Sequence, residues 1–189
     1  MSTPKTIVGI DYSMTTPCIC VYSSKNDEFT FDNCDVFYYT KVTSLGTKFR
    51  KNISGNLAKP YKNDMERYLN LSSWVIDILK NYENIHVCLE GYSMGSKGKV
   101  FNIAENTGVL KLSLHLAAIP VLVIAPTTIK KFASGKGNAD KLKMHESFIE
   151  ETGIDLKMLI SPNKKEIGNP VSDIVDAYFL CKYGLENIS

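Results

Sequence analysis

Thr6-Ile-Val-Gly-Ile-Asp11 is an apolar, β-branched run that ends on a carboxylate, and the fold is read outward from it. Branched side chains crowd a helix but suit a pleated sheet, and a run apolar at every position suits a strand covered on both faces. Cys18 to Tyr22 and Phe29 to Tyr39 follow across turn-rich segments, so the chain opens as a three-stranded meander. Met65, Leu69, Leu71, Val75, Ile76 and Leu79 recur at helical spacing, and Ile85-His-Val-Cys-Leu-Glu90 then repeats the opening pattern, a short buried strand ending on an acid. Val100 to Ala118 predicts a helix whose apolar stripe is wider than one buried face requires, with Ile103, Leu110, Leu114 and Ala117 in line and Val109, Leu112 and Leu116 beside them. Val121 to Ala125 predicts a fifth strand, Pro126 is a helix start, and Asn138 to Thr152 and Pro170 to Tyr183 predict further helices. With right-handed crossovers, this order gives an α/β fold: one five-stranded mixed sheet with helices on both faces, as a single domain over residues 1–189. The segment from Val42 to Asn63, rich in Ser, Thr, Gly, Asn and Lys and without a clear period, is expected to be an inserted basic loop.

The chain has 189 residues, 44% of them hydrophobic, enough for a full core without staples. Its five cysteines are odd in number, contain no Cys-x-x-Cys pair and lie mostly in apolar runs, so they are expected to be reduced core thiols. Three scattered histidines, His86, His115 and His145, give a zinc site little to build from. The Met-Ser-Thr-Pro-Lys-Thr start lacks the layout of a secretory signal, and no segment approaches ~20 consecutive apolar residues. An intracellular, cytoplasmic protein with no membrane partner is the expectation. The net charge of +2 hides local patches. Six basic residues and no acid lie between Lys41 and Lys62, and Lys130, Lys131, Lys136, Lys141 and Lys143 face only Asp140. Such patches can track a phosphate backbone, although lysines solvate any surface. Arg50 and Lys51 in the first patch, Lys130 and Lys131 in the second, and Tyr92, Lys97 and Lys99 in the loop after Glu90 are the expected nucleic-acid contacts.

Asp11 and Glu90 both stand at the ends of strands predicted to be central. In an open α/β sheet the carboxyl ends of such strands frame the site crevice. Asp173 and Asp176, three apart on the last predicted helix, share a face with Ala177 and Leu180, while Val171, Ile174, Val175 and Tyr178 line the opposite face. That helix is apolar nearly all round except at its two acids, so the acids are expected to be part-buried. Taken singly, Asp11 can be a turn residue ahead of Ser13, Thr15 and Thr16, and Asp173 can be a charge favoured at a helix N-terminus. Taken jointly, the four carboxylates raise one another's pKa, and hard divalent cations relieve the conflict. Two such ions about 4 Å apart can activate water and stabilise the leaving oxygen of a phosphodiester.

At this point the sequence resembles the RuvC-type Holliday junction resolvases, whose fold is RNase H-like. The resemblance rests on Ile-Val-Gly-Ile-Asp11, the strand into Glu90, Ala125-Pro-Thr-Thr-Ile-Lys130-Lys131 leading to Gly137-Asn-Ala-Asp140-Lys141, and Asn169-Pro-Val-Ser-Asp173-Ile-Val-Asp176-Ala177. It implies a structure-selective endodeoxyribonuclease acting on four-way or related branched DNA as a homodimer. It also implies two Mg²⁺ ions per site, with Mn²⁺ able to substitute, held by Asp11, Glu90, Asp173 and Asp176. Lys141 and Lys130 or Lys131 match lysines near the scissile phosphate, and the Val100 to Ala118 helix, with Gly108 allowing close backbone approach, matches the dimer helix. These motifs do not specify a helicase partner. The family's aromatic residue three positions after the second acid falls on Ser93 here, with Tyr92 one earlier, and the 42–63 and 153–168 segments are longer than usual.

Other RNase H-like nucleases, such as flap endonucleases and nucleases of structured ribosomal RNA precursors, share the acids and remain open at this level. Actin and sugar kinase folds also use a Gly-Ile-Asp strand but need two such domains. The stretch from Gly91 to Lys99 lacks P-loop spacing. Retention of all four acids argues against a junction-binding module that no longer cleaves.

Overall fold

The computed structural model describes residues 5–25, 28–92 and 100–188. Strands β1 (Thr6–Asp11), β2 (Cys18–Ser23) and β3 (Cys34–Thr40) form the expected antiparallel meander, with Asp11 opposite Cys18 and Cys18 opposite Tyr38. Phe29 to Asn33 does not extend β3. A short 3-10 turn at Phe31–Asn33 closes over the sheet, tied down by the Asn52 amide donating to the Phe31 and Cys34 carbonyls.

The segment read as an unstructured insert contains two strands, β4 (Lys48–Arg50) and β5 (Ile53–Leu57). β5 pairs parallel with β3, and β4 folds back on it antiparallel, so the sheet has seven strands in the order β4-β5-β3-β2-β1-β6-β7 rather than five. Three-residue β4 and glycine-containing β5 are too short and polar for a period to show. Their sheet position comes from β3, whose free edge they cover.

Helix α1 (Asp64–Leu79) starts at Asn63, whose side chain accepts from the Glu66 amide, while the Glu66 carboxylate accepts from the Lys62 amide. This reciprocal pairing satisfies amides that the helix cannot pair itself. Then come β6 (Ile85–Glu90), α2 (Val100–Leu116), β7 (Val121–Ile124), α3 (Pro126–Ser134), α4 (Lys141–Thr152), α5 (Leu156–Ile160) and α6 (Val171–Asn187). β6 and β7 run parallel to β1, so β1, at the centre, has partners on both sides.

Alternation along β1 divides the core. Val8 and Ile10 face the layer of α1 and α2, whereas Ile7 joins Cys88, Ala177 and Cys181 in the layer built around α6. Asp11 is in phase with Ile7 and Gly9, and Glu90 with Cys88, so both acids share the α6 face. All five cysteines are free and buried. No described helix is long and apolar enough to cross a membrane.

α6 packs against β1 more extensively than any other helix against any strand. The contact is backbone on backbone: a Cβ on Gly9 would lie 2.1 Å from the Ala177 carbonyl oxygen and 2.4 Å from the Cys181 nitrogen. Further along, a Cβ on Gly184 would meet Cys88 Sγ at 2.5 Å and Ile7 Cγ2 at 2.8 Å. Gly9→Ala must therefore push α6 off the sheet. Equilibrium urea unfolding should show a loss of about 3 kcal/mol, the upper part of the range for overpacked cores; a loss below about 0.5 kcal/mol would mean that α6 is not seated on β1 in this way.

Candidate active site

The carboxyl ends of adjacent parallel strands bring two acids together. Asp11 and Glu90 each follow directly on the last paired residues of β1 and β6, Ile10 and Leu89. α6 crosses the same face and supplies two more from its first turns. Asp11 is 8% and Asp173 5% exposed, so these two are nearly desolvated, while Glu90 and Asp176 are half-buried.

Asp173 is held by hydrogen bonds. Thr16, from the loop between β1 and β2, donates its hydroxyl to Asp173 Oδ2 at 2.5 Å, and Ser172 Oγ lies 3.1 Å from Asp173 Oδ1. Thr16 Oγ1 in turn accepts from Asn169 Nδ2 at 2.5 Å. Lys141 Nζ, at the start of α4, donates to Asn169 Oδ1 and Ser172 Oγ, both at 3.3 Å. Thr16, Asn169 and Ser172 thus join the lysine of one helix to the acid of another. Arg67 of α1 secures the same loop by donating to the Met14 carbonyl. Sequence reading considered Thr16 only as a turn neighbour of Asp11 and gave Asn169, Ser172 and Arg67 no role. The Asn169–Ser172 spacing before Asp173 was visible in the sequence, but Arg67 was not, because its partner is a backbone atom.

The electrostatics follow from burial and crowding. Desolvation first, then repulsion by Asp173, Glu90 and Asp176, raises the Asp11 pKa well above the ordinary carboxylate range. Desolvation also raises Glu90 to about 7, opposed by the nearby Lys130 and reinforced by Asp173. Asp176 rises to about 7 through burial, then Glu90 and Asp173, with Lys130 and Lys141 opposing. Asp173 rises only to about 6, because the hydrogen bonds from Thr16 and Ser172 and the charge of Lys141 offset part of its burial. Among the described residues, the four acids therefore feel one another and two lysines, which offset the effect of burial only in part.

Among the described residues, no three His, Cys, Asp or Glu side chains enclose a single point as ligands of an ion. A zinc-like cage is therefore not formed. A magnesium-like ion fits the donor set better, since it takes one or two carboxylates and completes its shell with water and phosphate. The donors are all hard oxygens, and their raised pKa values show the charge conflict that such an ion relieves.

The structure separates the expected nucleic-acid contacts. Lys130 acts on Glu90 and Asp176 and Lys141 on Asp11, Asp173 and Asp176, whereas Lys131, exposed on α3, acts on none of the four acids. Arg50 and Lys51 are not brought to the site. They lie at the β4–β5 turn, with Arg50 level with Gly9 but out on β4 at the far edge of the sheet, and Arg50 is paired with Asp32 at 2.9 Å. Tyr92 is 38% exposed, with Lys111 Nζ 5.2 Å from its ring centroid, rather than packed into the core. Lys97 and Lys99, like Ser93, lie outside the described residues. Beside Asp11 and Glu90 opens a cavity of about 470 Å³ walled by Tyr12, Met14, Arg67, Tyr92 and Ile103 among others.

No family profile matches the chain. It is 34% identical over 86 residues to the crossover junction endodeoxyribonuclease RuvC of Corynebacterium diphtheriae, covering 45% of this chain and 53% of that protein. It is 35% identical over 80 residues to the RuvC of Corynebacterium glutamicum, covering 42% and 36%. The matched region thus spans about half or less of the curated relatives' length. Superposition extends much further: Thermus thermophilus RuvC matches with a TM-score of 0.60 at 13% identity, over 96% of this chain and 95% of that one. The fold is that of RuvC. The T. thermophilus RuvC structure in complex with a Holliday junction substrate gives the same TM-score at 11% identity, covering 96% and 95%. Fowlpox virus resolvase with its substrate junction DNA gives 0.51 at 16% identity, covering 97% of this chain and 99% of that one. The RuvC resemblance is borne out, and with it the mixed sheet carrying helices on both faces, at seven strands.

The raised pKa values set a stability profile for the metal-free protein. In the unfolded chain these acids titrate near 4, whereas folded Asp173 holds its proton to about 6 and Glu90 and Asp176 to about 7. Between those limits the folded state binds more protons than the unfolded one, so stability falls as pH rises through the window. In EDTA the melting temperature should drop between about pH 5 and about pH 8, and Asp176→Asn should flatten the drop. Mg²⁺ should restore stability at the upper end. A wild-type melting temperature that rises across this window in EDTA would contradict the crowded arrangement.

Proposed function

We propose that the chain is a structure-selective endodeoxyribonuclease that resolves Holliday junctions or related branched DNA by metal-assisted hydrolysis of phosphodiesters. The observation that carries the reading is the convergence of Asp11, Glu90, Asp173 and Asp176 at adjoining strand ends and on one helix, within a fold shared with RuvC. The branched-DNA reading carries with it a place inside the cell, where recombining and replicating DNA is found.

Asp11, Glu90, Asp173 and Asp176 would hold two Mg²⁺ ions, with Mn²⁺ able to replace them. When bound, such ions lower the pKa of water and offset charge on the phosphate. The chain's own residues do the positioning. Thr16 and Ser172 orient the Asp173 carboxylate by hydrogen bonds to its two oxygens, which keeps it ionised more readily than its neighbours. Lys141, anchored through Asn169 and Ser172, presents a fixed positive charge beside the acids, where negative charge grows on the phosphoryl oxygens as the bond to the attacking oxygen forms. Lys130 does the same from the Glu90 side.

Asp173→Asn keeps the side-chain shape and loses the charge. It should leave the fold intact and abolish cleavage of a four-way junction in Mg²⁺, with DNA binding kept or tightened in metal-free buffer. The assay should run beside three-way, flap and linear DNA and structured RNA. Cleavage by the variant near the wild-type rate would remove Asp173 from the mechanism, and preference of the wild type for structured RNA would replace the substrate class.

The same reading includes a homodimer through α2. Phe101, Leu112 and Leu116 on this helix are 83%, 58% and 77% exposed, and they share one face with Gly108, which has no neighbour within 4 Å of where a Cβ would stand. That apolar face is what a second copy would cover. Leu110 is wholly buried in this chain's own core, so Leu110→Glu would unfold the protein rather than probe an interface. Leu112→Glu is the sharper probe: sedimentation should show a dimer for the wild type and a monomer for the variant at equal concentration. A wild type that sediments as a monomer, both free and with junction DNA, would exclude the dimer.

A further inference from the structure

The register of the sheet spreads the basic stretch between residues 41 and 62 along the β3–β5 strand pair, with Arg50 and Lys51 at one end of it, Lys48 between on β4, and the remaining lysines at the other end. Arg50 and Lys51 sit at the turn between β4 and β5, level with the amino end of β3. Lys41 follows the last residue of β3, and Lys59 lies just past the end of β5. These strands run parallel with Thr40 opposite Leu57, so both lysines stand at the sheet end that carries Asp11. Cys18 pairs with both Asp11 and Tyr38, and Tyr38 with Gly55, so Lys41 and Lys59 follow the level of Asp11 by three and four residues, roughly 10 to 13 Å along the strands.

At this end the cations are gathered around an aromatic ring. Lys41 Nζ donates to the Tyr61 hydroxyl at 2.6 Å and lies 4.3 Å from its ring centroid, and the Arg67 guanidinium carbon lies 5.4 Å from the same centroid. Lys59 and Lys62 are exposed, and their hydrogen bonds among the described residues are made by their backbone amides and not by their ammonium groups. Among the described residues, none of Lys41, Lys59, Lys62 and Arg67 has an ion pair, although Asp64 and Glu66 begin the helix beside them. A group of cations held by neutral partners and without ion pairs raises the local positive potential. The group also touches the active site through structure. Arg67 holds Met14, in the loop whose Thr16 holds Asp173.

We infer that Lys41, Lys59 and Lys62, with Tyr61 and Arg67 as their base, form a ledge that grips the DNA backbone beside the cleavage centre, whereas Arg50 and Lys51 do not contact DNA. This rests on the nuclease reading above. With strands about 4.8 Å apart, Lys41 is two strands and Lys59 three strands to the side of β1, and with their offset along the strands they stand roughly 14 to 20 Å from Asp11. At 3.4 Å per base pair along one strand, that is about four to six phosphates from the cut. The ledge lies on the β3 side of the acids, while Lys130 and Lys141 approach from α3 and α4, so a backbone passing the acids meets positive charge on both sides. Contacts of this kind fix register and orientation and carry no sequence preference.

The test is the salt dependence of four-way junction binding in EDTA, together with cleavage in Mg²⁺. Replacing Lys41, Lys59 and Lys62 together with Ala should lower affinity at least tenfold near 0.1 M salt and reduce the slope of log K against log salt by about 2 to 3, since each phosphate contact contributes about 0.9. Lys59→Gln with Lys62→Gln, which breaks no described side-chain hydrogen bond or ion pair, should give about two thirds of that change and guards against a folding defect. Arg50→Ala with Lys51→Ala should leave both quantities at wild-type values. A neutral methylphosphonate placed about four to six phosphates from the cut should weaken wild-type binding and not that of the triple variant. The inference is overturned if the triple variant keeps the wild-type slope, or if the Arg50 and Lys51 pair gives the larger loss. Failure of the nuclease reading shows separately, as a wild-type protein that cleaves no branched DNA with either metal.

Discussion

The closeness of α6 to β1 is the constraint on which the rest depends. A helix normally stands off a sheet by the depth of the side chains between them. Here Gly9 removes that depth at one point, and the Ala177 carbonyl and Cys181 amide come down almost onto the strand. Gly184 repeats the device at the other end of the helix, over Cys88 and Ile7. Two points of close approach fix both the distance and the direction of α6, which sets where Asp173 and Asp176 stand relative to Asp11 and Glu90. A site made of residues from two strands and a helix is only as well placed as that packing.

The same packing creates the electrostatic problem that makes the site useful. Bringing four carboxylates under cover raises the pKa of each, chiefly by loss of water and then by mutual repulsion. Two lysines and two hydroxyls offset this only in part. The folded chain therefore holds protons that it would release in water, or takes up cations in their place. Hydrogen bonding distributes the burden unequally. Asp173, with Thr16 and Ser172, is the least perturbed, and Asp11 has only the charge of Lys141 to set against burial and three neighbouring acids. Cys18, across the strand pair from Asp11, shares the consequence: burial and then Asp173 and Asp11 push its thiol pKa well up, so it stays an inert part of the floor.

Much of this was legible in the sequence because the signals were local. Short apolar runs ending on Asp11 and Glu90 marked the parallel centre of the sheet, and the i, i+3 pair on an otherwise apolar helix marked Asp173 and Asp176. The pairs that failed to show depend on contacts distant in sequence. β4 and β5 have no period of their own and are strands because β3 offers an edge, so a seven-stranded sheet read as five strands and a loop. Thr16 and Asn169 are ordinary loop residues until 153 positions of chain fold to bring them together. The α2 stripe was correctly seen as too wide, but periodicity alone did not tell which of its leucines faced inward: Leu110 and Leu114 are wholly buried, and Leu112 and Leu116 face out.

Charge was the least legible property, for a reason that sheet geometry makes plain. Residues nine apart in a sequence, such as Lys41 and Arg50, can lie at opposite ends of a strand pair when a strand reversal intervenes, and residues eighteen apart, such as Lys41 and Lys59, can lie side by side when parallel strands end together. A basic stretch counted along the chain is therefore not a basic surface. Parallel pairing of β3 with β5 sorts the cations by strand end, and it does so relative to the acids, since β1, β3, β5 and β6 all point their carboxyl ends the same way. Arg50, at the other end of that strand pair, is neutralised by Asp32, while among the described residues the lysines beyond the carboxyl ends have no ion pair. The topology that gathers four carboxylates at the carboxyl ends of these strands is thus also what leaves positive charge without ion pairs beyond the same ends.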